Sequence, residues 1–147
     1  MYLKKNESNN TLPVERTLNK SKDYGKWIGE MDWNYMVTIR KNYKTNSNVV
    51  RKVANHFIQS LESIETAIYV GEKDSIDDNN YHIHILINST SKDIMKDVIE
   101  YKKRNKADTV FVEPIKDNYS AGMYVSKYFN ITSLVDRDIV WDFFKNN

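Results

Sequence analysis

Residues 81–87, Tyr81-His82-Ile83-His84-Ile85-Leu86-Ile87, decide how this chain folds. Read with a period of two, they place Ile83, Ile85 and Ile87 on one face of a strand and His82 and His84 side by side on the other. Two of the chain's three histidines therefore point the same way from regular backbone. Neutral imidazole is the commonest protein metal ligand, and ligands carried on a strand keep their geometry without a further ordering cost. The plain alternative is an amphipathic strand with two surface histidines. Carboxylates just upstream, and a tyrosine and lysine pair downstream, weigh against it.

Working outward, Tyr35–Arg40 reads as a first strand, with Val37 and Ile39 on one face and Met36, Thr38 and Arg40 on the other. A helix begins at Ser47 or Asn48, because Val50, Val53, Phe57, Leu61 and Ile64 recur at three- and four-residue spacing. His56 falls within it as an ordinary helix residue. Thr66–Gly71 forms a second strand ending in Glu72, and the acidic turn with Asp74, Asp77 and Asp78 leads into the histidine strand as an antiparallel hairpin. A second helix starts at Thr90 or Ser91, where Thr90 and Asp93 fit a capping box, and buries Ile94, Met95, Val98 and Ile99. It ends in Lys102, Lys103, Arg104 and Lys106, cations that suit a helix C-terminus; the other use open to them is tracking phosphates.

Asp108–Ile115 is a strand with Val110 and Val112 opposed to Phe111. A third helix runs from Tyr119 or Ser120 to Phe129, with Gly122, Val125 and Phe129 on one side and Tyr124, Lys127 and Tyr128 on another. The apolar run Ile139–Phe144 must pack somewhere, as a strand, a helix or a dimer contact. Strand, helix, strand, strand, helix, strand is the order of the ferredoxin-like, split βαβ arrangement of an α+β protein. The histidine strand and the first strand are then central neighbours, both helices cover the isoleucine face, and the third helix covers the imidazole face.

At 147 residues the chain is expected to be one domain, able to bury roughly 68–70% of its unfolded surface. Residues 1–25 lack periodicity and read as a flexible basic arm, leaving 26–147 as the domain. Net charge is +2, and residues 1–26 hold six Lys or Arg against three acids, so any phosphate contact uses local patches. The absence of cysteine excludes disulfides and thiol nucleophiles. No apolar run approaches the ~18 residues of a membrane span and no signal core is visible, so the expectation is a soluble protein of the host cytoplasm without a membrane partner. No Walker A motif occurs, so no helicase domain is expected.

His82-Ile83-His84 between apolar residues resembles the signature of the HUH endonucleases, which nick and rejoin single-stranded DNA through a tyrosine. Tyr124-Val125-Ser126-Lys127-Tyr128 is similar to the Tyr-x-x-Lys-Tyr motif of their rolling-circle replication initiators from viruses, phages and plasmids. Tyr35-Met36-Val37-Thr38-Ile39 is similar to the family's weaker first motif, so the resemblance runs from about residue 33 to about 130. It implies the HUH variant of the fold, and an initiator that nicks one strand at an origin. Tyr124 would attack to leave a 5′ phosphotyrosine and a 3′ hydroxyl, while Lys127 positions or neutralises the phosphate. Tyr128 is either a second nucleophile or an aromatic neighbour.

A phosphodiester carries negative charge, so attack on it needs a cation on its non-bridging oxygens. His82 and His84 with one carboxylate would hold such an ion. Glu72 is the choice of carboxylate, because the hairpin sets it beside the start of the histidine strand and an acid there matches the family; Glu113 and Asp74 are its competitors. The resemblance implies Mn2+ or Mg2+. Candidate DNA contacts are Thr38, Arg40 and Lys41, together with Lys102, Lys103 and Arg104. The expected partner is single-stranded DNA or an origin hairpin, with a host or viral helicase and a homodimer left open. Three other readings compete: a small single-strand HUH transposase, a zinc hydrolase, and a non-catalytic single-strand-binding module. The last needs aromatics on the imidazole face, where the pattern offers none.

Overall fold

Strand β3, Tyr81–Ser89, lies at the centre of a five-stranded antiparallel sheet in a computed structural model that describes residues 23–73, 80–127 and 140–145. Its neighbours are β1 (Tyr35–Arg40) and β2 (Ile64–Lys73). Outside them stand β4 (Thr109–Pro114) and β5 (Val140–Lys145), giving the order β4-β1-β3-β2-β5. The first four strands follow an order compatible with the split βαβ arrangement, and β5 extends it at the edge beside β2. Ile139–Phe144, whose form the sequence left open, is thus edge strand from Val140 onward.

The two faces of β3 have different covers. Ile83, Ile85 and Ile87 are buried with Val37 and Ile39 of β1 against α2 (Ser47–Ser60) and α3 (Ile94–Arg104). Phe57 of α2 meets Tyr101 of α3 edge-on, with ring centroids 4.9 Å apart. Beta-branched isoleucines suit a strand packed on its neighbours, and their spacing of two sends all three into one layer. On the opposite face Leu86 of β3 packs with Ile68 and Val70 of β2, beneath Ile28, Ala121 and Val125.

Those last three residues belong to a helix over 23–29, α1, and to α4, Asn118–Val125. The two helices cross closely, since a Cβ on Gly122 would meet Gly25 O at 2.6 Å and Gly29 N at 2.7 Å. Only glycine at 122 permits that approach of backbone to backbone. Asp117 caps α4, its side chain accepting from Tyr119 N at 3.2 Å. Helix α4 therefore covers half of the open face and stops at the border of the histidines.

Several expectations change. Of the arm expected over 1–25, residues 1–22 lie outside the described residues, and 23–25 are helical, so the folded unit starts earlier than residue 26. Helix α2 begins at Ser47 as expected, with Asn46 as its cap, but stops at Ser60, and Ile64 opens β2. Helix α3 begins at Ile94 and the Thr90–Asp93 capping box does not form; Ser91 Oγ instead accepts from Asp93 N, which holds residues 91–93 in a turn. Met95 and Ile99, expected in the core, are exposed because Ile94, Val98 and Tyr101 form the buried stripe of α3. Helix α4 ends at Val125, earlier than expected, so Lys127 follows the helix rather than riding on it. Tyr128 and Phe129 lie outside the described residues. Among the described residues no helix is long and apolar enough to cross a membrane.

Candidate active site

Antiparallel register carries the chemistry of β3 sideways to its neighbours. Glu72 stands opposite His82, which stands opposite Arg40; Val70, His84 and Thr38 form the next row. Directly opposed residues share a face, so one acid, two imidazoles, a hydroxyl and a guanidinium meet on one patch of sheet. Glu72, His82 and His84 offer ligand atoms that lie within 4.8 Å of one another. His82 Nε2 is 3.4 Å from Glu72 Oε1, and the two imidazole rings are 4.8 Å apart at a steep angle.

Each of these groups is oriented by a partner. Thr38 Oγ1 is 2.9 Å from His84 Nδ1. In the tautomer whose Nδ1–H donates to that hydroxyl, Nε2 keeps its lone pair. That Nε2 is buried and, among the described residues, has no hydrogen-bond partner. An orphaned acceptor beside a second imidazole and a carboxylate fits a metal ion. Burial, and then the neighbouring charge of His82, push His84 down to about 4, so it is neutral and able to ligate at ordinary pH. Burial works against the charge on Glu72, but hydrogen bonds from His82 and Lys127 outweigh it and hold the carboxyl below its usual range.

Lys127 supplies the counter-charge. Its Nζ donates to Glu72 Oε2 at 2.9 Å and to Oε1 at 3.3 Å, and to the carbonyl of Tyr124 at 3.3 Å. The same ammonium lies 3.8 Å from the centre of the Tyr124 ring. That ring in turn meets His84 edge-on, with centroids 5.3 Å apart, while 44% of Tyr124 remains exposed. Helix α4 thus delivers a half-open phenol to the rim of the histidine patch, and the turn after it returns a cation to the carboxylate.

The remaining candidates divide. Arg40 and Thr38 line the groove beside the imidazoles. Lys41 is paired with the buried Asp108 at 2.9 Å. Lys102, Lys103 and Arg104 are exposed at the end of α3, the helix packed under the isoleucine face, so the fold does not bring them to the site. Glu113 lines the same groove but is not among the clustered ligand atoms, and Asp74 lies outside the described residues. His56 is exposed on α2 with its ring against Tyr101, in keeping with an ordinary helix residue.

One aromatic was missed. Phe111 is opposite Thr38 in the β1–β4 register and is 73% exposed on the imidazole face. The alternation of Val110 and Val112 against Phe111 carried that signal, and the register of β4 on β1 turns the ring toward the histidines.

No protein-family model and no curated protein matches the chain. A solved structure that it resembles is the hypothetical protein ORF119 from Sulfolobus islandicus rod-shaped virus 1, at 20% identity and a TM-score of 0.41. The match covers 75% of this chain and 91% of the viral one.

Proposed function

We propose that this chain is an HUH-type endonuclease of the rolling-circle initiator kind, which nicks and rejoins single-stranded DNA through Tyr124. The observation that carries the reading is the convergence of a phenol, an ammonium, two imidazoles and a carboxylate from β2, β3, α4 and the turn after α4 on one half-open patch. A Mn2+ or Mg2+ ion held by Glu72, His82 and His84 would draw charge from a non-bridging phosphate oxygen.

The protein's own groups account for the rest. Tyr124 Oη attacks phosphorus and loses its proton; the bond from phosphorus to the 3′ oxygen breaks, and that oxygen leaves as a hydroxyl after taking up a proton. The product is a 5′ phosphotyrosine and a free 3′ end. Because the new ester keeps the energy of the old one, the 3′ hydroxyl can reverse the step without a nucleoside triphosphate. Lys127, 3.8 Å from the Tyr124 ring centre, sets a positive charge beside the attacking group and the phosphate it meets. Thr38 fixes the His84 ring so that Nε2 is the nitrogen offered. Tyr128 lies outside the described residues, and its part as a second nucleophile is tested with the first.

The exposed Phe111 favours a second reading, a single-strand-binding module without chemistry. One assay separates them. Labelled single-stranded hairpins incubated with the protein and Mn2+ should yield a denaturation-resistant protein–DNA band that disappears in Tyr124→Phe and persists in Tyr128→Phe. A band that survives Tyr124→Phe assigns the attack elsewhere, and no band on any hairpin leaves only the binding module.

A further inference from the structure

The groove beside the imidazoles, about 970 Å³, is larger than a phosphate and a metal require. It runs from His84 and Tyr124 across β1 to β4, and its far wall is Phe111 and Glu113. Alternation on β4 sets these two side chains on one face, opposite Thr38 and Met36 of β1. His84, Thr38 and Phe111 are thus successive members of one cross-strand row, and Phe111 stands two strand spacings, about 10 Å, from His84. A solvent-facing phenyl ring has no core to serve at 73% exposure. A planar ligand is the partner its open face suits.

We propose that Phe111 and Glu113 seat one base of the single strand next to the scissile phosphate, and that they favour a base with an exocyclic amino group. The inference rests on the nicking reading for its strand and adds the recognition of a base. Phe111 offers the stacking surface, and Met36 beside it lines the groove as a polarizable floor. Glu113 carries only acceptors when ionised, so it accepts from the exocyclic amino group of cytosine, adenine or guanine, whereas thymine has no amino group and flanks its single N3–H with two carbonyl oxygens that repel the carboxylate. Arg40 towards the histidines and Lys116 towards α4 line the same groove, placing a cation on either side of the seat for the flanking phosphates.

The test reads binding alone, in chelator, with fluorescently labelled dC12, dA12 and dT12 strands and fluorescence anisotropy. Wild-type protein is expected to bind dC12 and dA12 more tightly than dT12. Phe111→Ala should weaken all three by roughly 5- to 100-fold. It should also keep the wild-type melting temperature, since the ring is mostly in solvent. Glu113→Ala should bring the dC12-to-dT12 ratio to about one; the ratio is the readout because losing a carboxylate also eases repulsion of every phosphate. Phe111→Ala binding like wild type, Glu113→Ala keeping the wild-type ratio, or wild type binding none of the strands overturns the proposal. Since no metal is present, these outcomes are separate from the nicking reading: a Phe111 effect without any DNA adduct in Mn2+ leaves the base seat standing and removes the chemistry.

Discussion

The hydroxyl of Thr38 lies 2.9 Å from His84 Nδ1, and Nε2, which has no hydrogen-bond partner among the described residues, is the ring nitrogen able to ligate. Partners of this kind usually contribute a factor of roughly 10–100 in metal affinity. Thr38→Val should therefore weaken Mn2+ binding by about that factor, measured by calorimetric titration, with the fold intact; unchanged affinity would mean that Thr38 does not orient the ring. Lys127 gives a second prediction. Its ammonium satisfies both oxygens of a buried carboxylate, and removing one partner of such a pair leaves an uncompensated charge. Lys127→Met should melt lower than wild type without metal and gain more than wild type in melting temperature on adding Mn2+, because the ion then neutralises Glu72. Equal gains in the two proteins would contradict this. At this scale the sequence was legible where chemistry is local: His82 and His84 share a face because a strand alternates. The tie of Thr38 to His84 spans 46 positions of the chain, and residue type alone does not reveal a partner so distant.

Elements were legible where one periodicity dominated. Tyr35–Arg40 alternates cleanly and is a strand over those residues; the spacing of Val50, Val53 and Phe57 likewise marks α2. Legibility failed at ends, where hydrogen bonds of single side chains decide. Thr90 looks like a capping residue, yet Ser91 takes the turn and α3 starts at Ile94. Val125 ends α4 where the pattern would have continued, and Ser126 Oγ donates back to the carbonyl of Gly122 at 2.8 Å. That early stop lets Lys127 fold back to Glu72. The crossing of α1 and α4 sets where Tyr124 arrives, and it depends on Gly122 lying against the backbone of Gly25 and Gly29. Gly122→Ala should therefore cost about 1–3 kcal/mol by overpacking, read by chemical denaturation. It should also reduce DNA adduct formation at temperatures where the protein remains folded. Wild-type stability in this variant would contradict the close crossing.

Across the whole molecule, the sheet separates two tasks. One face is apolar from edge to edge and carries α2 and α3; the other is half covered by α1 and α4 and half given to polar groups. Burying those groups has a consequence for stability against pH. His84 is pushed down to about 4 in the folded chain from 6.5, so as pH falls the unfolded chain takes up the proton first. Stability present above pH 6.5 is then lost progressively towards pH 4, by on the order of 3 kcal/mol. Glu72, also held low, adds loss in the same direction at more acid pH. His84→Gln should remove the loss between pH 6.5 and 4 in metal-free denaturation curves; an unchanged slope would place it elsewhere. The arrangement of the first four strands was legible because the order of elements leaves few right-handed, uncrossed topologies. The edge position of β5 was not, since a short apolar run such as Ile139–Phe144 carries no record of the strand it pairs with.

In the proposed reaction Tyr124 becomes covalently joined to a 5′ phosphate. Protein incubated with single-stranded hairpins and Mn2+, trimmed with nuclease and digested with protease, should yield one peptide that gains the mass of a nucleotide, with fragment ions locating it on Tyr124. The same mass on Tyr128 or any other residue, or on none in a preparation that has nicked the DNA, would contradict the account.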